Sequence, residues 1–447
     1  MGTLELQKNL NEIESELLSI LNEGFELSKP LEYLSEYVEK ISPNSIRVGQ
    51  DTIDLSNGNL YVLGWGKVSG AMAHALERIL GTEIIKEGIV ITSNPNYQTE
   101  KIKILGGTHP LPSKQNIDGT KQILSLAERC TENDYVLNLV SGGGSSILCL
   151  PAEGITLEDK IQTTNSLLRE GIEVEQINRI RKHLSAIKGG KLAKKIYPAS
   201  ITNLIVSDDI ADAIHSIGSG PTVPDPITFK GAQEIIDKYN LRGKLPNSVI
   251  QYIDKNVYRR ENETLKPDEQ MASQITNHIV FNNEDFRDNL RSASESKGYQ
   301  VFVYPKILSG DFDRALDSYT SFINEVNLNE NFIVIAGGEI EVKSQSNGKG
   351  GRAQHFAAGM IPRISKYQNA ALAAIASDGH DYLANLGGAL VTNETQEIIK
   401  SMEIPYNTHF KATKSFNIHE ALNSHLLTRE PTQNNVFDAY IFMHKKK

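Results

Sequence analysis

Two rhythms of apolar residues alternate along the chain. Short apolar runs at residues 60–64, 88–92, 101–105, 135–140, 201–206, 279–281, 300–304, 332–335 and 370–376 have the length and the bounding turn residues of buried strands. Between several of them apolar positions recur every three or four residues: Leu10, Ile13, Leu17 and Leu21 within residues 4–27, then Met72, Ala75, Leu76 and Ile79, then Leu157, Ile161 and Leu168. That spacing lays one apolar stripe along a helix. Pro30 opens a further helix, predicted to run through Ile41. Strands alternating with helices predict open parallel α/β sheets, whose ligands bind at the carboxyl edge.

The strand ends are where polar chemistry collects. The run 135–140 stops at Ser141-Gly142-Gly143-Gly144-Ser145-Ser146, where glycines let backbone N–H groups turn towards one point and serines add hydroxyl donors, a turn suited to a phosphate chain. Other strands end at Gly64-Trp65-Gly66-Lys67, Gly106-Gly107-Thr108-His109, Ser207-Asp208-Asp209-Ile210-Ala211-Asp212, Gly337-Gly338-Glu339 and Ser377-Asp378-Gly379-His380-Asp381. Lys67 reads either as a phosphate-neutralising cation or as a solvated loop lysine. His109 reads either as an acid or base or as a turn residue. Asp208 and Asp212 suit Mg²⁺ or a general base, and equally a helix cap or an Asx turn. The glycines after the first strand break the dinucleotide fingerprint, with Ser69 in the third place, and no P-loop is present.

Composition narrows the field. A chain of 447 residues with net charge -9 is long enough for two cores and too acidic to wrap nucleic acid through a general basic surface. Cys130 and Cys149 are its only cysteines, too few for a disulfide framework or a thiolate cage. No apolar stretch approaches the roughly 18 residues of a membrane span, so a cytoplasmic protein is expected. The basic segment 178–196 carries Arg181, Lys182, Lys188 and Lys191 away from its stripe of Ile180, Leu184 and Ile187, and Gly189-Gly190 within it suggests a close approach to the backbone. Residues 261–277 turn polar and are read as a linker between domains 1–260 and 278–447.

The runs GKVSGAMA (66–73), GTHPLP (107–112), LVSGGGSSIL, NRIRKHLSAIKGGKLA (178–193), GSGPTVPDP (218–226), GGRAQ (350–354), SDGHD and PTQNNVFD (431–438) together resemble the glycerate 2-kinases. The resemblance covers nearly the whole chain. It implies a Rossmann-like parallel-sheet N-terminal domain, a smaller α/β C-terminal domain of the MOFRL type, and an interdomain cleft where ATP with Mg²⁺ phosphorylates the 2-hydroxyl of D-glycerate. Matched position by position, it makes Lys67, Arg352 and Asp208 catalytic and gives Asp208 and Asp212 to the metal. It makes Ser141, Gly142, Gly143, Gly144, Ser145, Lys188, Gly189, Gly190, Glu339 and Asp378 nucleotide-binding. The partner expected is a small molecule, with neither nucleic acid nor membrane, and a homodimer stays open.

The chain departs from the family pattern at Ala213, Ala353, His355, Tyr382 and Asn385. Lost carboxylates at 213, 355 and 385 imply a weaker metal site, and Tyr382 adds bulk where glycine is usual. These changes leave room for a catalytically altered nucleotide-binding protein or a kinase for another hydroxy or sugar acid. A nicotinamide-dependent oxidoreductase is the rival from another class.

Overall fold

The computed structural model describes residues 3–326, 330–343 and 348–446. The chain divides into two compact units, Tyr33–Val280 and the pair of segments Met1–Glu32 with Phe281–Lys447. Residues 261–277 are therefore part of the first of these: Leu265 is fully buried in its core, and Ile275–Phe281 is a strand. Polar composition reads as a linker, but one apolar residue in the right register is enough to anchor such a segment.

In the Tyr33–Val280 unit a six-stranded sheet runs in the order Ile275–Phe281, Ser200–Val206, Tyr135–Val140, Leu60–Trp65, Ile85–Thr92, Ile102–Gly106. Registers from Ser200–Val206 through Ile102–Gly106 are all parallel. Every residue of Leu60–Trp65 and Tyr135–Val140 is buried, as a strand covered on both faces requires. From Leu60–Trp65 the chain steps outward twice on one side and then returns to add Tyr135–Val140 on the other. The order thus reverses between these two strands, and the crevice beyond their carboxyl ends is the ligand position of doubly wound sheets.

Two local expectations change. The helix begun at Pro30 ends at Tyr37, and Val38–Ser42 opens a small antiparallel sheet with Ser45–Val48 and Asp51–Asp54. The basic segment is not one helix: Val174–His183 stops, Gly189 and Gly190 take φ of 62° and 75°, and Lys191–Ile196 resumes.

The other unit holds an eight-stranded sheet that is mixed, not parallel. The wholly buried strand Asp438–His444 inserts antiparallel between Phe332–Glu341 and Ala370–Ala376. This registers Asp438 opposite Gly338 on one side and Ala376 on the other. Of the N-terminal stretch expected to be helical, Glu12–Leu27 is helix, begun by a capping box of Asn11 and Glu14. Its Phe25 packs on Phe286 at 5.1 Å. Among the described residues no helix is long and apolar enough to cross a membrane.

Candidate active site

At the crevice of the parallel sheet two strand ends are sewn together. Lys67 N–H donates to Gly142 O at 2.9 Å, and Val68 N–H donates to Ser141 Oγ at 3.0 Å. Gly66 precedes them with φ 129°, and a Cβ there would stand 2.2 Å from Ser141 Oγ. The fully buried Ser141 side chain thus joins the Lys67 turn to the Ser/Gly turn and is spent inside the protein. Gly143, half-buried with φ 77°, caps the short helix Gly144–Ile147. A Cβ on Gly143 would meet His109 Cδ2 at 3.0 Å and Lys67 Cγ at 3.2 Å. Lys67, His109 and the Ser/Gly turn therefore converge on one point.

The sequence did not single out Asn116, which holds this convergence. It is fully buried; its Oδ1 accepts from Thr108 N–H at 3.1 Å, and its Nδ2 donates to Thr108 O at 2.9 Å and Ser146 O at 3.0 Å. An asparagine early in a helix carries no pattern that separates such a tie from an ordinary cap. Ser145 Oγ is 2.7 Å from Ser219 Oγ, tying the turn to the 216–220 loop.

The basic segment behaves differently from its reading as loose counter-charge. Lys188 is buried, and its Nζ donates to Gly144 O at 2.8 Å and Gly218 O at 2.6 Å. It clasps the turn from beneath, and burial drives its pKa well below the usual lysine value. Gly189 and Gly190 donate their N–H groups to Ser219 O and Gly220 O. Added Cβ atoms there would strike Thr264 at 2.5 Å and Leu265 at 2.4 Å. What approaches these glycines is the chain itself, so Lys188, Gly189 and Gly190 support the Ser/Gly turn from within the protein. Lys182 is likewise buried, paired with Asp225 at 3.3 Å.

On the turn after Ser200–Val206, Asp209 Oδ1 accepts from Ala211 N–H and Ala213 N–H, an Asx turn that orders the loop. Asp208 and Asp212 flank it, both half-buried, Asp212 with φ 51°. Among the described residues no group of three or more His, Cys, Asp or Glu is arranged to hold an ion. A magnesium–nucleotide needs only one or two carboxylates, since phosphate oxygens and water complete its shell. Asp208 and Asp212 fit that demand.

In the other unit Arg352 is the first residue of the helix Arg352–Ile364. Its guanidinium bonds Glu339, and its Nε lies 3.2 Å from Asp438 Oδ2. Asp381 caps the same helix, accepting from Ala353 N–H at 3.1 Å and Gln354 N–H at 2.8 Å. Gly351 leaves the space for it: a Cβ there would fall 1.9 Å from Asp381 Oδ1. Burial pushes the Asp438 carboxyl up to about 7 against the pull of Arg352, and pushes Asp381 up to about 6 against its backbone donors. Burial also works against the Arg352 charge, but Asp438 and Glu339 outweigh it and hold its pKa above the ordinary value. Asp378 Oδ1 accepts from His380 N–H and orders its own turn. Asp438 and Asp381 stood inside quoted motifs without a role, because only the inserted strand brings Asp438 beside Arg352.

The family departures acquire local explanations. His355 stacks on Phe410 and packs at a tilt against Phe312, each at 4.5 Å, and burial lowers its pKa to about 4. It is a neutral aromatic, not a replacement ligand. Tyr382 and Asn385 have φ of 72° and 63°, where glycine or asparagine is the easy residue.

Comparison with known proteins places the chain among relatives. Residues 16–254 match a family described as a domain of unknown function, DUF4147, and residues 332–438 match the MOFRL family. A glycerate 2-kinase of Pyrococcus horikoshii is 33% identical, covering 88% of this chain and 90% of its own. A D-glycerate 2-kinase of Thermotoga maritima is 30% identical over 92% of this chain and 96% of its own. The crystal structure of glycerate kinase from Thermotoga maritima superposes with a TM-score of 0.82 at 28% identity, covering 96% of this chain and 99% of that one.

Proposed function

The chain belongs to the glycerate 2-kinase family, and from that premise we propose that it transfers the γ-phosphoryl group of ATP to the 2-hydroxyl of D-glycerate. The observation that carries this reading is the convergence of Lys67 and His109 on Gly143 at the reversal of the parallel sheet. Backbone N–H groups of the Gly142–Ser145 turn cradle phosphate oxygens there, and Lys67 neutralises charge as the phosphoryl group departs. Arg352 is the second cation, preset by Glu339 and Asp438 so that little reorganisation is needed as charge develops. Asp208 accepts the proton of the substrate hydroxyl. Asp208 and Asp212 would hold magnesium, which would supply positive charge against the phosphate oxygens. The reaction belongs in the cytoplasm, where ATP is supplied.

The residue changes do not remove this machinery. Ala213 and Ala353 contribute backbone N–H groups, to Asp209 and Asp381 respectively, and His355 fills an apolar stack. The test is ADP release from ATP with D-glycerate, followed by phosphorus NMR of the product. Stoichiometric 2-phosphoglycerate is expected; no ADP release with D-glycerate, or phosphorylation at the 3-position, overturns the proposal.

A further inference from the structure

A cavity in the Tyr33–Val280 unit, lined by none of the Ser/Gly turn residues, has a volume of about 850 Å³. Three chain segments far apart in sequence form its wall, around Glu153, around Ser185–Lys195 and around Tyr252–Glu263. Five lysines and arginines line it against three glutamates. Lys195 is engaged by Glu128 and Lys194 by Glu269. Lys191, Lys255 and Arg259 have no carboxylate within 4 Å among the described residues, whereas Glu153 and Glu261 sit exposed on the rim.

Lys191 is the telling member. Its ammonium donates to Ser185 O at 2.9 Å and lies 5.6 Å from the centre of the Phe229 ring. Three N–H donors on a half-buried cation are thus met by one carbonyl and one ring face. Burial lowers its pKa to about 7; Glu263 supports its charge while Lys160, Lys194 and Lys266 oppose it. A half-buried ammonium with spare donors beside the exposed cations Lys255 and Arg259 is stabilised by an anion entering the cavity.

We infer that this cavity is a second binding site, taking a dianionic phosphate group, free or carried by a small metabolite, and that its occupancy adjusts the nucleotide turn. The connection is short. Lys191 N–H donates to Lys188 O, and Lys188 Nζ holds Gly144 O and Gly218 O. Ser185, whose carbonyl takes the Lys191 ammonium, also accepts from Lys188 N–H through its hydroxyl. Drawing the ammonium towards an anion loosens Ser185 O and moves the base of the clasp.

The experiment is calorimetric titration of the full chain with inorganic phosphate and, separately, glycerol 3-phosphate, with excess non-hydrolysable ATP analogue present to occupy the Ser/Gly turn. Binding of at least one probe is expected, weakened about ten-fold or more in Lys255→Ala/Arg259→Ala. For glycerol 3-phosphate, already dianionic by pH 7, affinity falls as pH rises above 7, because Lys191 loses its proton. The double variant keeps the wild-type kcat while its KM for ATP no longer responds to the probe. Binding of both probes shows that the phosphate group suffices; binding of glycerol 3-phosphate alone identifies an ester as the occupant. If neither probe binds beside the analogue, or the double variant binds as tightly as wild type, the inference is overturned.

Discussion

Arg352 Nε stands 3.2 Å from Asp438 Oδ2, a carboxylate only 1% exposed. The strand bearing Asp438 enters the sheet antiparallel beside Phe332–Glu341, so a residue 86 positions away in sequence becomes the partner of Arg352.

That pair makes the protein pH-sensitive in two opposite senses. With the Asp438 pKa raised by burial to about 7, the folded chain keeps a proton between about pH 4 and 7 that the unfolded chain has lost. Stability therefore falls as pH rises across that window and levels off above it. The charge-assisted grip on Arg352 strengthens over the same range. The kcat/KM profile is expected to rise with an apparent pKa near 7, and Asp438→Asn to flatten that limb while raising stability at pH 8 relative to wild type. A wild-type profile flat from pH 6 to 8 contradicts this.

If the proposed roles hold, Lys67→Met and Arg352→Gln are each expected to lower kcat by roughly 10²-fold or more, since each removes a positive charge that the proposal assigns to phosphoryl transfer. Steady-state ADP release measures the loss, and circular dichroism checks that both variants remain folded. A change confined to KM would assign either residue to ground-state binding alone.

Gly66→Ala forces a Cβ into the space of Ser141 Oγ at a backbone φ of 129°. Strain and clash together cost about 1–3 kcal/mol, read from urea unfolding. Because the displaced group is the joint between the Lys67 and Ser/Gly turns, KM for ATP rises as well.

Lys188→Met removes the clasp on Gly144 and Gly218 and strands two buried carbonyls. A loss of about 2–4 kcal/mol is expected, with nucleotide affinity reduced although the ammonium is held by the chain's own carbonyls. Retention of wild-type ATP affinity in the folded variant would show that the turn holds itself.

Tyr382→Gly relieves a bulky side chain held at φ 72° and 65% exposed, and stability rises by about 1 kcal/mol. Thermal unfolding measures it. Unchanged stability would mean that contacts of the ring offset the strain.

Apolar periodicity and strand-end chemistry determined the parallel sheet, the Ser/Gly turn and the residues worth naming, because buried strands and phosphate turns constrain sequence locally. Ala370–Ala376 and Ser200–Val206 were legible as short apolar runs bounded by turn residues, the latter to within one residue. Tertiary structure alone decided what each polar group does. Lys188, Gly189 and Gly190 look like ligand groups in sequence yet serve the chain's own loops, since a lysine reads the same whether its ammonium meets a phosphate or a carbonyl. Asp438 and Asn116 acquire their roles only through strand insertion and helix placement, and such long-range juxtaposition leaves no periodic trace along the chain.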